Sequence, residues 1–215
     1  MPRFCASIEL EYPKSEVFQY HAESGAIDRL VPPWENLSVE ARSDSLAVGS
    51  EVAFVNRVLG LPLPLLARHT QLVPNESFED TMVRGPFRRW VHRHLFESLA
   101  KDRSQLTDSI DYELPMGPLG SLANGWVHSK LEAMFRYRHR TTADDLLARS
   151  RFAPRIAALG HRPRVAVTGG TGLIGRRTIE LASVMGWEVI RIVRPGAKAS
   201  QHLFPRSVLT AQIES

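Results

Sequence analysis

The sequence predicts an α+β protein in which an antiparallel sheet wraps one long C-terminal helix and a short, truncated βαβ unit follows. Three observations carry that prediction. Apolar and polar residues alternate with a period of about two through a series of short runs ending at Leu114. The period then lengthens to about 3.6 over Gly120–Leu147. Beyond it, a glycine-rich turn at Gly169–Gly175 joins an apolar run to a further periodic segment.

Each element has a local reason. Phe4, Ala6, Ile8 and Leu10 alternate with Cys5, Ser7, Glu9 and Glu11, which describes a half-buried strand. Pro13 ends it, and a short helix begins at Ser15–Tyr20. A second helix over Gly25–Leu30 stops before Pro32-Pro33, because the residue preceding a proline is pushed out of helical geometry. Strands are expected at Leu37–Arg42, Ser50–Val58, Leu66–Val73, Ser77–Met82, Phe87–Leu99 and Gln105–Leu114. Gly49, Gly60, Pro74-Asn75, Arg84-Gly85-Pro86 and Lys101-Asp102-Arg103 punctuate them at hairpin-like spacing, hence an antiparallel sheet. After Pro115-Met116-Gly117-Pro118, the residues Leu119, Leu122, Ala123, Trp126, Val127, Leu131, Met134 and Phe135 form an apolar stripe. A helix that long needs a large partner surface, and the preceding sheet is the one available. A curved sheet around a helix encloses a volume suited to a small molecule.

Composition limits the function classes. Of 215 residues, 43% are apolar, 8% aromatic and 23% charged, which is the profile of an ordinary globule. No run of about 18 uncharged apolar residues is present, so no membrane-spanning helix is expected. The first residues lack the apolar core of a signal peptide, and the single Cys5 excludes an internal disulfide; together these place the chain in the cytoplasm. The net charge of +4 is uneven: residues 1–147 carry 16 Lys/Arg against 20 Asp/Glu, whereas 148–215 carry 11 against 3. The expected organisation is therefore a ligand-binding domain at 1–147, an Arg-rich linker at 148–162 holding one helical turn, and a nucleotide-binding segment at 163–215.

Two constellations carry chemistry. In the first, the run Val165–Thr168 enters Gly169-Gly170-Thr171-Gly172-Leu173-Ile174-Gly175, then a helix over Arg176–Met185 and a second strand at Glu188–Val193. Gly169 permits the tight turn, Gly172 admits a pyrophosphate to the backbone, and Gly175 lets helix and strand pack closely. Arg191 and Arg194 stand where an NAD-preferring protein ends its second strand with an acid, so NADP is favoured. In the second, Trp90, His92, His94 and Phe96 share one face of a strand, with Asp80 and Met82 on the strand before and Trp126 on the long helix completing an aromatic and imidazole wall. The two histidines admit three roles: hydrogen-bonded members of the wall, general acid–base groups, or metal ligands joined by His69 or Asp80. No metal and no catalytic residue is assigned. Arg84, Arg88, Arg89 and Arg93 form a solvated edge, and no nucleic-acid partner is expected.

These motifs carry two resemblances. Residues Arg164–Pro195 resemble the start of an extended short-chain dehydrogenase/reductase of the sugar-epimerase type, which implies a Rossmann unit. The Tyr-x-x-x-Lys such enzymes use is missing: no tyrosine follows Tyr137, and Lys198 is the only lysine after Lys130, so the unit reads as truncated, with weak or absent NADP binding. Residues Pro2–Leu147 carry Pro13-Lys14-Ser15-Glu16-Val17-Phe18, Leu30-Val31-Pro32-Pro33-Trp34, Gly85-Pro86-Phe87-Arg88-Arg89-Trp90 and His92-Arg93-His94. They resemble the START-like (SRPBCC) superfamily of helix-grip domains, which includes polyketide cyclases, aromatase-like domains and lipid-transfer proteins. More narrowly, they resemble the version fused in front of an epimerase-type reductase. The resemblance implies capture of a hydrophobic or aromatic small molecule. Its alternatives are part of an NADP-dependent epimerase-like oxidoreductase, or a cyclase or dehydratase with His92 or His94 carrying a proton.

Overall fold

The chain forms seven consecutive antiparallel-sheet strands: β1 (Arg3–Leu10), β2 (Leu37–Arg42), β3 (Glu51–Val58), β4 (Leu61–Val73), β5 (Ser77–Arg84), β6 (Arg89–Ala100) and β7 (Arg103–Glu113). This computed structural model describes all residues except 24, 44, 59–60, 116–119, 121, 195–207 and 213–215. Helices α1 (Lys14–Ala22) and α2 (Ala26–Leu30) lie between β1 and β2, and α3 (Asn124–Leu159) follows β7. The sheet order is β1-β7-β6-β5-β4-β3-β2, so the first strand of this sheet pairs with its seventh. Register shifts in β2, β4 and β6 mark bulges, which bend strands and curl the sheet. Strand β4 begins at Leu61 rather than at the expected Leu66, despite Pro62 and Pro64. That first stretch pairs with β3, while pairing with β5 starts at Leu66, so both prolines sit on a locally open edge.

Helix α3 covers one half of the sheet. Val127, Leu131 and Phe135 pack on Phe4 of β1 and on Ile110 and Tyr112 of β7. Further along, Leu146 joins Leu10, Val17, Phe18, Phe78, Phe96 and Leu106 in a second core. Asp145 anchors the two small helices, accepting from Tyr20 at 2.9 Å and from both arms of Arg29 at 2.8 Å. A bidentate, buried guanidinium–carboxylate pair of this kind fixes orientation as well as distance.

Two expectations need correction here. The segment 148–162 is not a linker with one helical turn, because α3 runs unbroken to Leu159. Ala and Arg dominate this stretch and are good helix formers, so the chain stays helical until Gly160 adopts φ 69° and caps it. Pro154 is carried inside the helix. Of the predicted apolar stripe, Leu119 lies outside the described residues, while Leu122 and Trp126 are 84% and 66% exposed.

After α3 come β8 (Arg164–Thr168), α4 (Leu173–Val184), β9 (Glu188–Val193) and β10 (Val208–Gln212). The three strands pair parallel in the order β10-β9-β8, one strand more than the sequence suggested. This unit docks on α2. Arg177 donates to the carbonyls of Val31 at 3.0 Å and Asp28 at 3.5 Å, capping the last turn of that helix. The same guanidinium binds the buried Glu180 carboxylate at 2.6 Å. Val184 enters the main core, and Gly25 approaches Ser183 so closely that a Cβ there would lie 2.6 Å from the serine Cβ. Replacing Arg177 by alanine is expected to cost about 2 kcal/mol, the scale of hydrogen bonds to a charged group. Urea denaturation checks the loss, and hydrogen exchange should rise first in α2.

Candidate functional site

Where α3 does not cover the sheet, a cavity of about 560 Å³ remains. Its walls are the inward residues of β3 to β6, among them Phe54, Ala67, Met82 and Trp90, together with Ala26, Ile27 and Leu30 of α2 and Leu131, Met134 and Phe135 of α3. The lining is mostly apolar; Asp80, His92 and His94 cluster on one wall, and Glu23, Glu35, Arg42, Arg57 and Lys130 border the cavity elsewhere. Among the described residues no helix is long and apolar enough to cross a membrane.

That wall is organised around Asp108, in the middle of β7 between the buried Leu106 and Ile110. Its Oδ1 accepts from His92 Nε2 at 3.1 Å, and its Oδ2 accepts from His139 Nε2 at 2.7 Å. His94 Nδ1 approaches Oδ1 to 2.7 Å without the alignment of a hydrogen bond. Cross-strand register explains the meeting: His94 lies opposite Asp108 on β7, and Asp80 on β5 lies opposite His92. On the cavity side, Asp80 Oδ2 stands 3.3 Å from His92 Nδ1 and 4.0 Å from His94 Nε2. One ligand atom from each of Asp80, His92 and His94 falls within a 4.8 Å group.

The electrostatics follow from burial competing with charge. Burial opposes ionisation of Asp108, but the surrounding imidazoles of His94, His139 and His92 overcome it and hold the carboxyl well below its usual range. Asp80 is likewise lowered against its burial, chiefly by His92 and then His94 and His69. Burial would depress His92 too, yet the carboxylates of Asp80 and Asp108 on its two sides lift it to about 9. His94 is depressed to about 3 by burial and by the neighbouring His92 charge. Buried His21, which also faces the cavity, falls to about 4. Arg138, over the Phe135 ring at 5.2 Å, supplies a further cation on the same wall, lowered by burial. Near neutral pH the wall thus holds one imidazolium, His92, beside a neutral imidazole, His94, with ring centroids 4.0 Å apart.

The structure brings together Asp80, Trp90, His92 and His94, all of which line the cavity, and puts the half-exposed Trp126 at its edge. Phe96 shares the inward face but lies deeper, packed on Phe18 at 5.4 Å and Phe78 at 6.0 Å, and forms core instead of wall. Sequence reasoning passed over Asp108, His139, Arg138 and His21. Asp108 had a signal, an acid at the apolar parity of its strand; His139 had one too, eight residues beyond Leu131 on the helix stripe.

The glycine turn forms at the carboxyl end of β8. Gly169 takes φ 64°, Gly172 caps α4, and a Cβ on Gly175 would fall 2.3 Å from the Gly169 carbonyl oxygen. Thr171, Leu173 and Ile174 are exposed. Arg194 is exposed just past β9, at the same sheet edge as the turn. Arg191 differs from expectation: it is 1% exposed, and its stem passes beneath Gly170, where a Cβ would meet Cγ and Cδ at 3.0 and 3.1 Å. Strand alternation places it with Val189 on the buried face, away from any phosphate at the turn.

Opposed imidazole shifts predict a stability maximum near pH 6.5. The raised His92 contributes stability that is complete below about 6.5 and is lost as pH rises through about 9. The depressed His94 and His21 contribute stability present above about 6.5 and lost as pH falls toward 3 to 4. Each titrating group gives a slope of at most about 1.4 kcal/mol per pH unit. Urea denaturation across this range should show the acid limb steeper than the alkaline one, and His92→Gln should flatten the alkaline limb.

Comparison with known proteins agrees with this architecture. Two uncharacterized proteins of Mycobacterium tuberculosis, MT0096 and Rv0088, are 30% identical over 126 residues, covering 57% of this chain and 51% of each of theirs. The chain thus spans about half the length of the curated relatives it matches. A crystal structure of a nucleoside-diphosphate sugar epimerase from Corynebacterium glutamicum superposes with TM-score 0.69 and 27% identity over 92% of this chain and 40% of that one. The Zhui aromatase/cyclase from Streptomyces sp. R1128 shares the fold, with TM-score 0.57 and 14% identity over 71% of this chain and 97% of its own. A START superfamily protein from Mycobacterium smegmatis does so with TM-score 0.52 and 14% identity over 67% and 98%. Residues 10–138 match the family model for polyketide cyclase / dehydrase and lipid transport proteins, more than half the sequence, and the chain belongs to that family.

Proposed function

We propose that the protein captures a hydrophobic or aromatic small molecule bearing at least one polar group, in the cavity between its sheet and α3. The observation that carries this is a chamber of about 560 Å³ with apolar side chains from sheet and helices around it and the Asp80, His92 and His94 cluster on one wall. Its volume lies in the range of about 300–1,000 Å³ typical of small-molecule sites. The apolar walls would hold the body of the ligand, while Asp80, His92, His94 and Arg138 would orient its polar end. Cyclase or dehydratase chemistry is a second reading, favoured by the continuous chain His139–Asp108–His92–Asp80 that leads from α3 to the cavity surface.

We further read residues 163–215 as the beginning of a dinucleotide-binding Rossmann unit that prefers NADP, in a chain built like the first part of an epimerase-type reductase. The parallel order β10-β9-β8, the turn Gly169–Gly175 and the exposed Arg194 support it, as does an alignment to the Corynebacterium protein that runs well past the cyclase segment. In calorimetry binding is expected to be weak, with NADPH preferred over NADH, and Arg194→Ala should erase the preference.

Tryptophan fluorescence and thermal shift against fatty acids, isoprenoids and aromatic polyketides test the cavity reading, since Trp34, Trp90 and Trp126 all border the chamber. A true ligand at a hundred times its Kd raises the unfolding free energy by about 2.7 kcal/mol. Ala67→Trp, which intrudes on the chamber, should sharply reduce that shift in a protein that still folds. No response to any ligand class, or an undiminished response in that variant, would overturn the reading.

A further inference from the structure

We propose that Asp80, His92 and His94 form a binding site for a divalent transition-metal ion on the cavity wall, with Asp108 holding both imidazoles from behind. The argument rests on how the nitrogens are divided. His92 presents Nδ1 and His94 presents Nε2 toward the same oxygen, Asp80 Oδ2, at 3.3 and 4.0 Å. Their other ring nitrogens, His92 Nε2 and His94 Nδ1, both turn to Asp108 Oδ1, at 3.1 and 2.7 Å. Chelating histidines characteristically use one nitrogen for the ion and give the other to a carboxylate that fixes the ring. Here Asp108 accepts a hydrogen bond from the His92 ring and lies 2.7 Å from the back nitrogen of the His94 ring.

Separation and exposure fit as well. An ion with bonds of about 2.0–2.1 Å in tetrahedral geometry spans ligand–ligand edges of about 3.3 Å, so the trio closes on an ion by small side-chain rotations. Asp80, His92 and His94 all line the cavity, whereas Asp108 does not. The ion's remaining positions would therefore face the chamber and be open to water or to an oxygen of a bound molecule. His69, opposite Asp80 in the β4–β5 register, is buried with its Nδ1 lacking a hydrogen-bond partner, and also lines the cavity.

Charge and donor type select the class of ion. Two carboxylates face each other across these rings, and a dication balances both. Two imidazoles and one carboxylate suit zinc, cobalt, nickel or ferrous iron, and are a poor cage for calcium or magnesium, which prefer all-oxygen sites. The proposal does not depend on the identity of any organic ligand.

The test uses the untagged full chain, stripped with chelator and titrated with cobalt(II) and then zinc(II) alone. One equivalent of cobalt should give visible d–d bands, and zinc should displace it. Asp80→Asn and His94→Gln should each weaken binding by at least a hundredfold, and Asp108→Asn, which acts through the rings, by about ten- to a hundredfold. His128→Ala with His161→Ala, both exposed, should change nothing. X-ray absorption on the zinc-loaded wild-type protein supplies a measurement independent of variant folding: two imidazoles with oxygen ligands are expected. Absence of stoichiometric binding, retained affinity in folded Asp80→Asn or His94→Gln protein, or a spectrum with fewer than two imidazoles would each overturn the site. None of these results bears on small-molecule capture, which is read separately with no metal added.

Discussion

The fold depends on meeting one buried charge. Asp108 sits in the centre of β7, 2% exposed, with Leu106 and Ile110 beside it on the same face. An ionised carboxylate in such a place costs several kcal/mol unless partners surround it. The chain supplies them from two directions: His92 and His94 from β6, and His139 from α3. Because His139 reaches down from the helix, the carboxylate sets the rotation of α3 over the sheet. Because His92 and His94 reach across from the next strand, it also fixes the rings that border the cavity. Stability and site geometry are consequences of the same contact.

The cavity follows from an uneven division of the sheet. The apolar stripe of α3 ends on β1 and β7, where Phe4, Ile110 and Tyr112 receive Val127, Leu131 and Phe135. Among the described residues the helix sends nothing comparable onto β3 and β4, where Phe54 and Ala67 border the cavity. Bulges in β2 and β4 curl that half toward the helix and keep the volume enclosed. The polar wall contributes by refusing collapse, since moving α3 further over it would strip solvent and partners from Asp80 and Arg138. A chamber with a charged end is what this sheet and helix leave when both constraints are satisfied.

Much of this was legible in the sequence, because periodicity reports which way side chains point. The β2 and β9 spans were read to the residue, and the shared face of Trp90, His92 and His94 follows from alternation alone. Periodicity does not report which strand lies next to which. Asp108 and His92 are 16 residues apart, and Asp108 and His139 are 31 apart, so their meeting depends on pairing register and helix rotation. Phe96 was placed on the right face and the wrong depth, since parity says nothing of distance from the opening. The segment 148–162 reads as a linker from its arginines, Pro154 and Gly160, yet Pro154 is carried inside the helix and only Gly160, in the left-handed conformation, ends it. Arg191 reads as a partner for a phosphate from its place near the end of the second strand, where an NAD-preferring protein has an acid; the missing side chain at Gly170 is what makes room for its stem.

Helix α2 is where the two halves of the chain share an element. Five residues long, it cannot persist as an isolated helix, since helix nucleation alone is unfavourable. Its order therefore comes from what touches it. Ala26, Ile27 and Leu30 face the cavity, while the carbonyls of Asp28 and Val31 take the guanidinium of Arg177 from α4. Arg29 on the same turn is held by Asp145 of α3. A molecule seated in the chamber and the helix that follows the glycine turn thus bear on opposite sides of one short segment.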